Sequence, residues 1–242
     1  EEWFVLIHID IEAKAGPGLV GLVQALNAAR DNMPDDVLRG LHALAAAQEA
    51  MRETLLRMPE RCDPYIYYSR VRPYIHGWKN SPSLPQGVVY EGVADYAQRP
   101  QQFRGETGSQ SSIVPALDAG LGITHADDPL TQYLVEMRDY MPPRHRTFLA
   151  ALEARTDEQQ RPLPYGHGRG RKTAHSGFMK GFLTCVDLLA QFRDIHIGYA
   201  ERYIFQQHQS HASNPTAVGT GGTPFMPYLS KHLEETKRFT LD

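Results

Sequence analysis

One histidine in this 242-residue chain lies in a pattern made otherwise of core residues. Between residues 177 and 207, eight side chains recur at alternating steps of four and three, which places them on one stripe of a long helix. The stripe consists of Phe178, Phe182, Cys185, Leu189, Phe192, His196, Tyr199 and Tyr203. Because a buried polar group without a partner costs about 1–3 kcal/mol, His196 must either hydrogen-bond to a neighbouring helix or coordinate a ligand. By frequency alone, a core-facing histidine is more often structural than a ligand.

A second stretch, residues 63–78, combines aromatic and basic side chains that could bind a planar, acidic molecule. Arginine offers a two-pronged donor for a carboxylate, and aromatic rings offer stacking faces. The stretch contains Tyr65, Tyr67, Tyr68, Arg70, Arg72, Tyr74 and Trp78. The same composition suits an amphipathic helix whose arginines extend along its apolar side to reach water. The residues themselves leave both interpretations open.

Runs of glycine and hydroxyl residues mark places where the backbone approaches another group closely. Residues 103–112 precede an apolar segment, and the backbone there must approach either another helix or a ligand. Gly219-Thr220-Gly221-Gly222-Thr223 suits either an anion site or, more commonly, a flexible turn. The G-x-G-x-G of residues 166–170 lacks the flanking strand and helix of a dinucleotide site. His208-x-x-His211 has no second pair of ligands in the sequence, so the pattern does not favour zinc there.

The elements that must position these residues are mostly helical by their spacing. A helix from Asp35 to about Met58 begins with an acidic first turn and carries a regular apolar stripe. Shorter helices are predicted over residues 19–30, 130–140 and 145–153. Trp3 to Glu12 differs, because β-branched and polar residues alternate there and predict a strand, followed by a small, breaker-rich stretch, Ala13 to Gly18.

Composition excludes several classes of function. The formal net charge is −3, with 41% hydrophobic and 22% charged residues, which gives no electrostatic basis for binding nucleic acid or an anionic membrane. No apolar run approaches the roughly 18 residues of a membrane span. Two cysteines, Cys62 and Cys185, cannot form a disulfide framework and suit a reducing, cytoplasmic location. The start, Glu1-Glu2-Trp3-Phe4, lacks an initiator methionine and a basic signal region, as in a fragment of a longer protein.

Five ordered blocks of the sequence together resemble the haem-containing indoleamine 2,3-dioxygenase family. The similarity covers nearly the whole chain, extending weakly to Phe4 to Ala13 at the start. The blocks are Arg72 to Lys79 with Val88-Val89-Tyr90-Glu91-Gly92; Phe103 to Ser112 with Asp118 and Leu121-Gly122; Met137 to Leu149; Arg193-x-x-His196 with Tyr203-Ile204; and Gly219 to Thr223.

The resemblance implies an all-α fold that surrounds haem b. It implies that His196 is the proximal ligand to the haem iron, which gives the histidine of the core stripe a role. Arg193 and Asp118 match family positions that form an ion pair beside a haem propionate, where a cation offsets a carboxylate in a partly dry site. An all-helical family also implies that residues 3–13 form a helix, against the local strand prediction.

The resemblance also supplies substrate-side roles. Arg72 matches the arginine that pairs with the substrate carboxylate. Tyr67 stands where the family commonly has phenylalanine against the indole ring, and His8 stands at a distal position where it could accept a hydrogen bond from the indole N–H. Thr107, Gly108 and Ser109 match the loop over the distal haem face. Thr220 lies in the glycine-rich segment that closes on the substrate.

On this basis we expect residues 1–242 to form the large helical haem-binding catalytic domain, without the smaller domain that precedes it in the family. The implied reaction inserts both atoms of O2 across the C2–C3 bond of the indole of L-tryptophan, giving N-formylkynurenine. Tyr67 and His8 keep open a relative that mono-oxygenates or rearranges a modified tryptophan. The absent first domain keeps open a haem-binding or gas-sensing module without turnover. Neither nucleic acid nor membrane is an expected partner, and the sequence leaves the oligomeric state open.

Overall fold

Helices provide nearly all the regular structure of the protein. The computed structural model describes residues 1–127, 129–158, 172–210, 219–220 and 225–241, and no β-strand occurs among them beyond an isolated bridge between Val88 and Gln101. Their α-helices of nine or more residues are α1 (Glu2–Arg30), α2 (Pro34–Leu56), α3 (Ile113–Leu121), α4 (Pro129–Met137), α5 (Pro143–Glu158), α6 (Lys172–Ala200) and α7 (Phe225–Leu241). The predicted all-α class is confirmed.

Short helical turns complete the fold. Two of them are π-helical, Tyr67–Val71 and Glu201–Phe205, and such wide turns are frequent at functional sites. The other α-helical turns are Met58–Arg61, Pro64–Ile66, Arg72–Ile75 and Gln206–Ser210, and the 3₁₀ turns are Ala94–Tyr96, Gly108–Gln110 and Arg138–Tyr140.

The first helix corrects the local prediction of a strand over residues 3–12. Helix α1 runs unbroken from Glu2 to Arg30, through the breaker-rich stretch and Pro17. Ile7 and Ile11 are buried one helical turn apart, whereas Ile9 is 58% exposed. The β-branched residues therefore divide between two helix faces, and the alternation that looked like a strand is incidental. The helix implied by the resemblance is confirmed.

Helices α1 and α2 form a tightly packed hairpin. The closest approach is at Gly21 and Gly40, where a β-carbon on Gly40 would lie 2.5 Å from the Gly21 carbonyl oxygen. Glycine is required at this crossing because any side chain would push the two backbones apart. Contact along both helices offsets the cost of about 3 kcal/mol that a proline such as Pro17 imposes inside a helix.

Helix α2 also packs against α6 through the two predicted stripes. Every member of the α2 stripe is buried, from Val37 to Leu55, and Met58 just beyond is buried as well. In α6, Cys185 and Leu189 are fully enclosed, and the Cys185 carbonyl accepts a hydrogen bond from the Gln48 amide at 3.0 Å. The predicted long helix is confirmed as far as Ala200, where the π turn begins. No described helix is both long and apolar enough to cross a membrane.

Leu189 gives a direct test of this packing. Its side chain is 1% exposed, so we expect Leu189→Ala to lower the free energy of unfolding by about 2–5 kcal/mol through lost burial and a cavity. Leu6→Ala on the exposed side of α1 is the matched control and should change it by about 0.5 kcal/mol or less. Urea denaturation of the three proteins measures the difference, and equal midpoints would show that the α2–α6 interface is loosely packed.

Candidate functional site

An open cavity of about 210 Å³ lies where α1, α6 and α7 converge. Most of its lining is apolar or aromatic, as is usual for ligand sites in proteins. The cavity brings together seven of the predicted site residues, although they are distant along the chain. These are His8, Tyr67, Thr107, Gly108, Ser109, His196 and Thr220.

His196 leaves the buried stripe of α6 to face this cavity. Its side chain is exposed towards the cavity, so the core-facing position that the stripe predicts is wrong and no hydrogen-bonding helix is needed as a partner. The protein around its open face, with a smaller contribution from the nearby His8, lowers the pKa of His196 below its ordinary value of 6.5. At neutral pH the ring is therefore uncharged, and a neutral imidazole has a nitrogen lone pair that can ligate a metal.

His8 presents a hydrogen-bond acceptor to the same cavity. Its Nδ1 lies 2.8 Å from the carbonyl oxygen of Phe4, and its ring lies 4.4 Å from the Phe4 ring between centroids. Because a carbonyl can only accept, the proton of a neutral His8 must be on Nδ1. That tautomer leaves the Nε2 lone pair available to accept from a ligand N–H.

Aromatic rings form one wall of the cavity. Phe4 packs on Tyr67 at 4.9 Å, and Tyr67 meets Tyr203 edge to face at 5.8 Å. Tyr67 and Tyr203 belong to the two π turns, so these turns place the rings side by side. The Tyr203 hydroxyl donates to the Cys62 carbonyl at 2.7 Å and fixes the wall. Burial raises the pKa of Tyr67 to about 12, so its phenol stays protonated at neutral pH.

The loop residues predicted to cover the site are held by their own hydrogen bonds. The Thr107 hydroxyl accepts from the Ser109 backbone N–H at 3.4 Å and caps the turn Gly108–Gln110. The Thr220 hydroxyl donates to the Glu106 carbonyl at 2.6 Å, and the Thr220 carbonyl accepts from the Gly77 N–H at 3.2 Å. Thr220 is thereby tied to the same edge of the cavity. Gly221-Gly222-Thr223 lies outside the described residues.

Arg72 is placed differently from the other predicted residues. It is fully buried at the start of the turn Arg72–Ile75 and does not line the cavity formed by the described residues. Its guanidinium carbon lies 5.6 Å from the centre of the Tyr68 ring, and Tyr67 is near enough to influence its pKa. Burial lowers the pKa of Arg72, although an arginine stays charged at any physiological pH. The cation therefore lies behind the aromatic wall.

Asp118 and Arg193 form an ion pair away from the cavity lining. Nη2 of Arg193 lies 2.9 and 2.6 Å from the two carboxylate oxygens, and Nη1 donates to the Thr236 hydroxyl of α7. Burial alone would raise the pKa of Asp118, but Arg193 and His125 outweigh it and lower the pKa. The pair joins the end of α3 to α6 one turn before His196.

His125 extends this ion pair into a network that sequence reasoning missed. Its Nε2 donates to Asp118 at 3.2 Å and its Nδ1 to Glu235 at 2.6 Å. Burial opposes a charge on the ring, yet the two carboxylates raise the pKa of His125. His125 and Glu235 are 110 residues apart, so no local spacing could have revealed the contact.

A second network secures the edge of the cavity. Glu136 of α4 accepts from Lys79 at 2.5 Å and from Arg104 at 2.6 and 3.0 Å. The Arg104 guanidinium lies 5.1 Å from the centre of the Tyr133 ring, which lines the cavity. Hydrogen bonds from Arg104 and Lys79 outweigh burial and lower the pKa of Glu136 to about 2. Sequence reasoning also missed Tyr133, which gives no distinguishing local signal.

A family model described as indoleamine 2,3-dioxygenase matches residues 1–239, nearly the entire chain. The chain belongs to this family. Indoleamine 2,3-dioxygenase 2 of Mus musculus is 34% identical, with 96% of this chain and 57% of the relative covered. Indoleamine 2,3-dioxygenase of Saccharomyces cerevisiae is 30% identical, with 98% and 58% covered. A protein named myoglobin from Haliotis madaka is 31% identical, with 98% and 60% covered.

Membership of the indoleamine 2,3-dioxygenase family confirms the resemblance drawn from the five sequence blocks. The chain spans less than two thirds of the length of each of these three relatives. Within that span, the structure brings residues from both π turns, the turn at 107–109 and α6 to one cavity.

Glu136 allows a test of how the cavity edge is held in this family member. Its ordinary pKa of 4.5 falls to about 2 in the folded protein, so its stabilising contribution is complete above pH about 4.5 and is lost as the pH falls towards 2. We expect Glu136→Gln to lower the free energy of unfolding by about 1–2 kcal/mol at pH 7, after allowance for its partial exposure.

The difference in the free energy of unfolding between wild type and Glu136→Gln should become smaller as the pH falls from 5 to 3, as measured by urea denaturation. The exposed Glu91 provides the matched control, because Glu91→Gln should leave stability nearly unchanged at each pH. A difference that stays constant as the pH falls would contradict an ionised Glu136 in the folded state.

Proposed function

We propose that the protein is a haem-dependent dioxygenase that inserts both atoms of O2 across the indole C2–C3 bond of L-tryptophan, giving N-formylkynurenine. The observation that carries the proposal is the neutral imidazole of His196, accessible in a cavity that six other predicted site residues line, in a chain of the indoleamine 2,3-dioxygenase family. Relatives named as indoleamine 2,3-dioxygenases support the reaction class. When bound, haem b supplies the iron at which the O2 chemistry takes place.

His196 would hold the haem iron through its neutral nitrogen. The residues present suit such a group, because the cavity is open, mainly apolar and reached by an unprotonated imidazole. The rigid packing of Leu189 and Cys185 on α6 fixes the direction of the histidine. Arg193, held by Asp118 and Thr236, would face a propionate and offset its negative charge.

The distal side would hold the indole ring between aromatic and polar groups. Phe4 and Tyr67 offer ring faces and edges for a flat bicycle. His8 would accept the indole N–H at Nε2, because its Nδ1 proton is already donated to the Phe4 carbonyl. Orientation of this kind lowers the barrier by bringing the reacting atoms together before the chemistry begins.

Arg72 would pair with the substrate carboxylate. The buried guanidinium beside Tyr67 and Tyr68 is a charge in a dry environment, where attraction to an anion is stronger than in water. Pairing requires the guanidinium to turn from the Tyr68 ring towards the cavity. Thr107, Gly108, Ser109 and Thr220 would then cover the substrate and exclude water, since they form one hydrogen-bonded edge above it.

We assign the protein to a reducing, cytoplasmic compartment. Its two cysteines, Cys62 and Cys185, are both free and buried, which agrees with a place where thiols stay reduced.

A second candidate function is haem and gas binding without turnover. The relative from Haliotis madaka, which is named a myoglobin, favours it specifically. The two candidates share His196 as the iron ligand and differ in whether a bound indole is oxidised.

Product mass spectrometry with 18O2 and L-tryptophan distinguishes these functions. We expect N-formylkynurenine carrying two labelled oxygen atoms, with none incorporated from labelled water in the parallel control. One labelled atom would instead indicate the mono-oxygenase alternative. The absence of any oxidised product, with haem bound and reduced, would favour the gas-binding candidate.

Arg72 should contribute to the turnover of a substrate that has a carboxylate and much less to that of a substrate without one. We expect Arg72→Ala to lower kcat/KM for tryptophan far more than for tryptamine, which has no carboxylate, with a difference of at least about tenfold. Arg70→Ala, an exposed arginine two residues away, is the control and should affect both substrates alike. Equal losses for both substrates in Arg72→Ala would show that Arg72 acts only through packing.

His8 should determine how the protein distinguishes L-tryptophan from 1-methyl-tryptophan. The methyl analogue cannot donate a hydrogen bond at N1, so the wild-type protein should prefer tryptophan. His8→Ala should reduce that preference by roughly two- to tenfold, which is the value of one neutral hydrogen bond. Steady-state rates with both substrates measure the ratio. An unchanged ratio would mean that His8 does not accept the indole N–H.

A further inference from the structure

Three side chains that commonly bind metals meet outside the cavity, at the junction of α7 with the segment that follows α3. The ligand atoms of His125, His232 and Glu235 all lie within 4.8 Å of one another. His232 and Glu235 are three residues apart on α7 and therefore share one face of that helix. None of the three belongs to the described lining of the cavity. The cluster thus lies outside the cavity assigned to haem and adjoins it through the contact of His125 with Asp118.

His232 is the member of this cluster that the hydrogen-bond network does not explain. Its ring stacks on the ring of His125 with centroids 4.1 Å apart. Its Nε2 atom is shielded from solvent and has no hydrogen-bond partner in the described part of the chain. Leaving a buried nitrogen without a hydrogen bond costs about 1–3 kcal/mol. An apolar ring at position 232 would give the same packing without that cost. A metal ion would satisfy that nitrogen.

We propose that His125, His232 and Glu235 bind one divalent transition-metal ion, for which zinc is the best match. Two imidazoles and one carboxylate are a ligand set that zinc accepts, with a water molecule in the fourth position. Harder ions such as magnesium favour oxygen ligands and would not use the two imidazoles. The site is independent of the proposed reaction at the haem cavity.

The His125–Glu235 distance needs only a small change to fit the ion, whereas the stacked rings of His125 and His232 must turn so that their in-plane lone pairs converge on it. Ligand atoms about 2.0–2.1 Å from a tetrahedral zinc lie about 3.3–3.5 Å from one another. His125 Nδ1 and Glu235 Oε2 are now 2.6 Å apart and joined by a proton. Zinc would replace that proton, which leaves to solvent, and the two groups would separate by less than 1 Å.

Asp118 supplies the outer support that a histidine ligand requires. It accepts from His125 Nε2 at 3.2 Å, which fixes the tautomer that offers Nδ1 to a metal. Asp118 also pairs with Arg193 of α6. A metal ion here would fasten α7 to the end of α3 and brace the ion pair next to the helix turn that carries His196.

Zinc binding to the purified full-length chain with haem bound tests the proposal. After removal of loosely bound metal with a chelator, competition with a zinc-sensitive dye gives the affinity, and elemental analysis gives the stoichiometry. We expect one tight site per chain in the wild type and in His42→Ala, which removes an exposed histidine of α2. His232→Ala and Glu235→Gln should each weaken this site at least 100-fold. X-ray absorption should show nitrogen and oxygen ligands at about 2.0–2.1 Å.

Thermal unfolding separates a lost ligand from a lost fold. Zinc should raise the midpoint of the wild type but not that of His232→Ala, because only a protein that binds the ion is stabilised by it. His232→Gln takes the place of His232→Ala if the latter does not fold. Zinc that binds all these variants with equal affinity and stoichiometry, or fails to bind the wild type, would overturn the proposal.

Discussion

The structure depends on one constraint, which is that an imidazole on a packed helix stays neutral while remaining accessible. The stripe residues that precede His196 on α6 pack against α2, and Leu189 and Cys185 are fully enclosed there. The cavity begins where that packing ends, and the protein around the open face of His196 lowers its pKa below the ordinary value of 6.5. The ring is therefore mostly uncharged at neutral pH and has a lone pair with which it can ligate a metal. The core therefore both aims the ring and keeps its lone pair available.

The two π turns convert this single group into a site. Each widens the helix by one residue, and together they bring Tyr67 and Tyr203 into edge-to-face contact at 5.8 Å. Helix α1 adds Phe4, which packs on Tyr67, and His8, whose tautomer is fixed by a backbone carbonyl. The cavity is thus polar only at a few fixed points, which is how proteins orient a mainly apolar ligand.

Some of this could be predicted from the sequence and some could not. The stripe of α6 and the helix around Leu41 follow from local periodicity, and the structure has both. Residues 3–12 were misread locally because Ile7, Ile9 and Ile11 fit a strand as well as a helix, and only packing against α2 decides between them. The contact of His125 with Glu235 spans 110 residues and depends on how α7 docks, which no local pattern encodes.

The most direct test of the account is haem binding by His196→Ala. We predict that this variant loses tightly bound haem and the absorption of a histidine-ligated ferric species, and that added imidazole restores that absorption by replacing the missing ligand. His208→Ala, which alters a histidine bonded to Tyr68 outside the described cavity lining, should keep the wild-type spectrum and stoichiometry. A normal spectrum and full haem content in His196→Ala would contradict the assignment of the cavity.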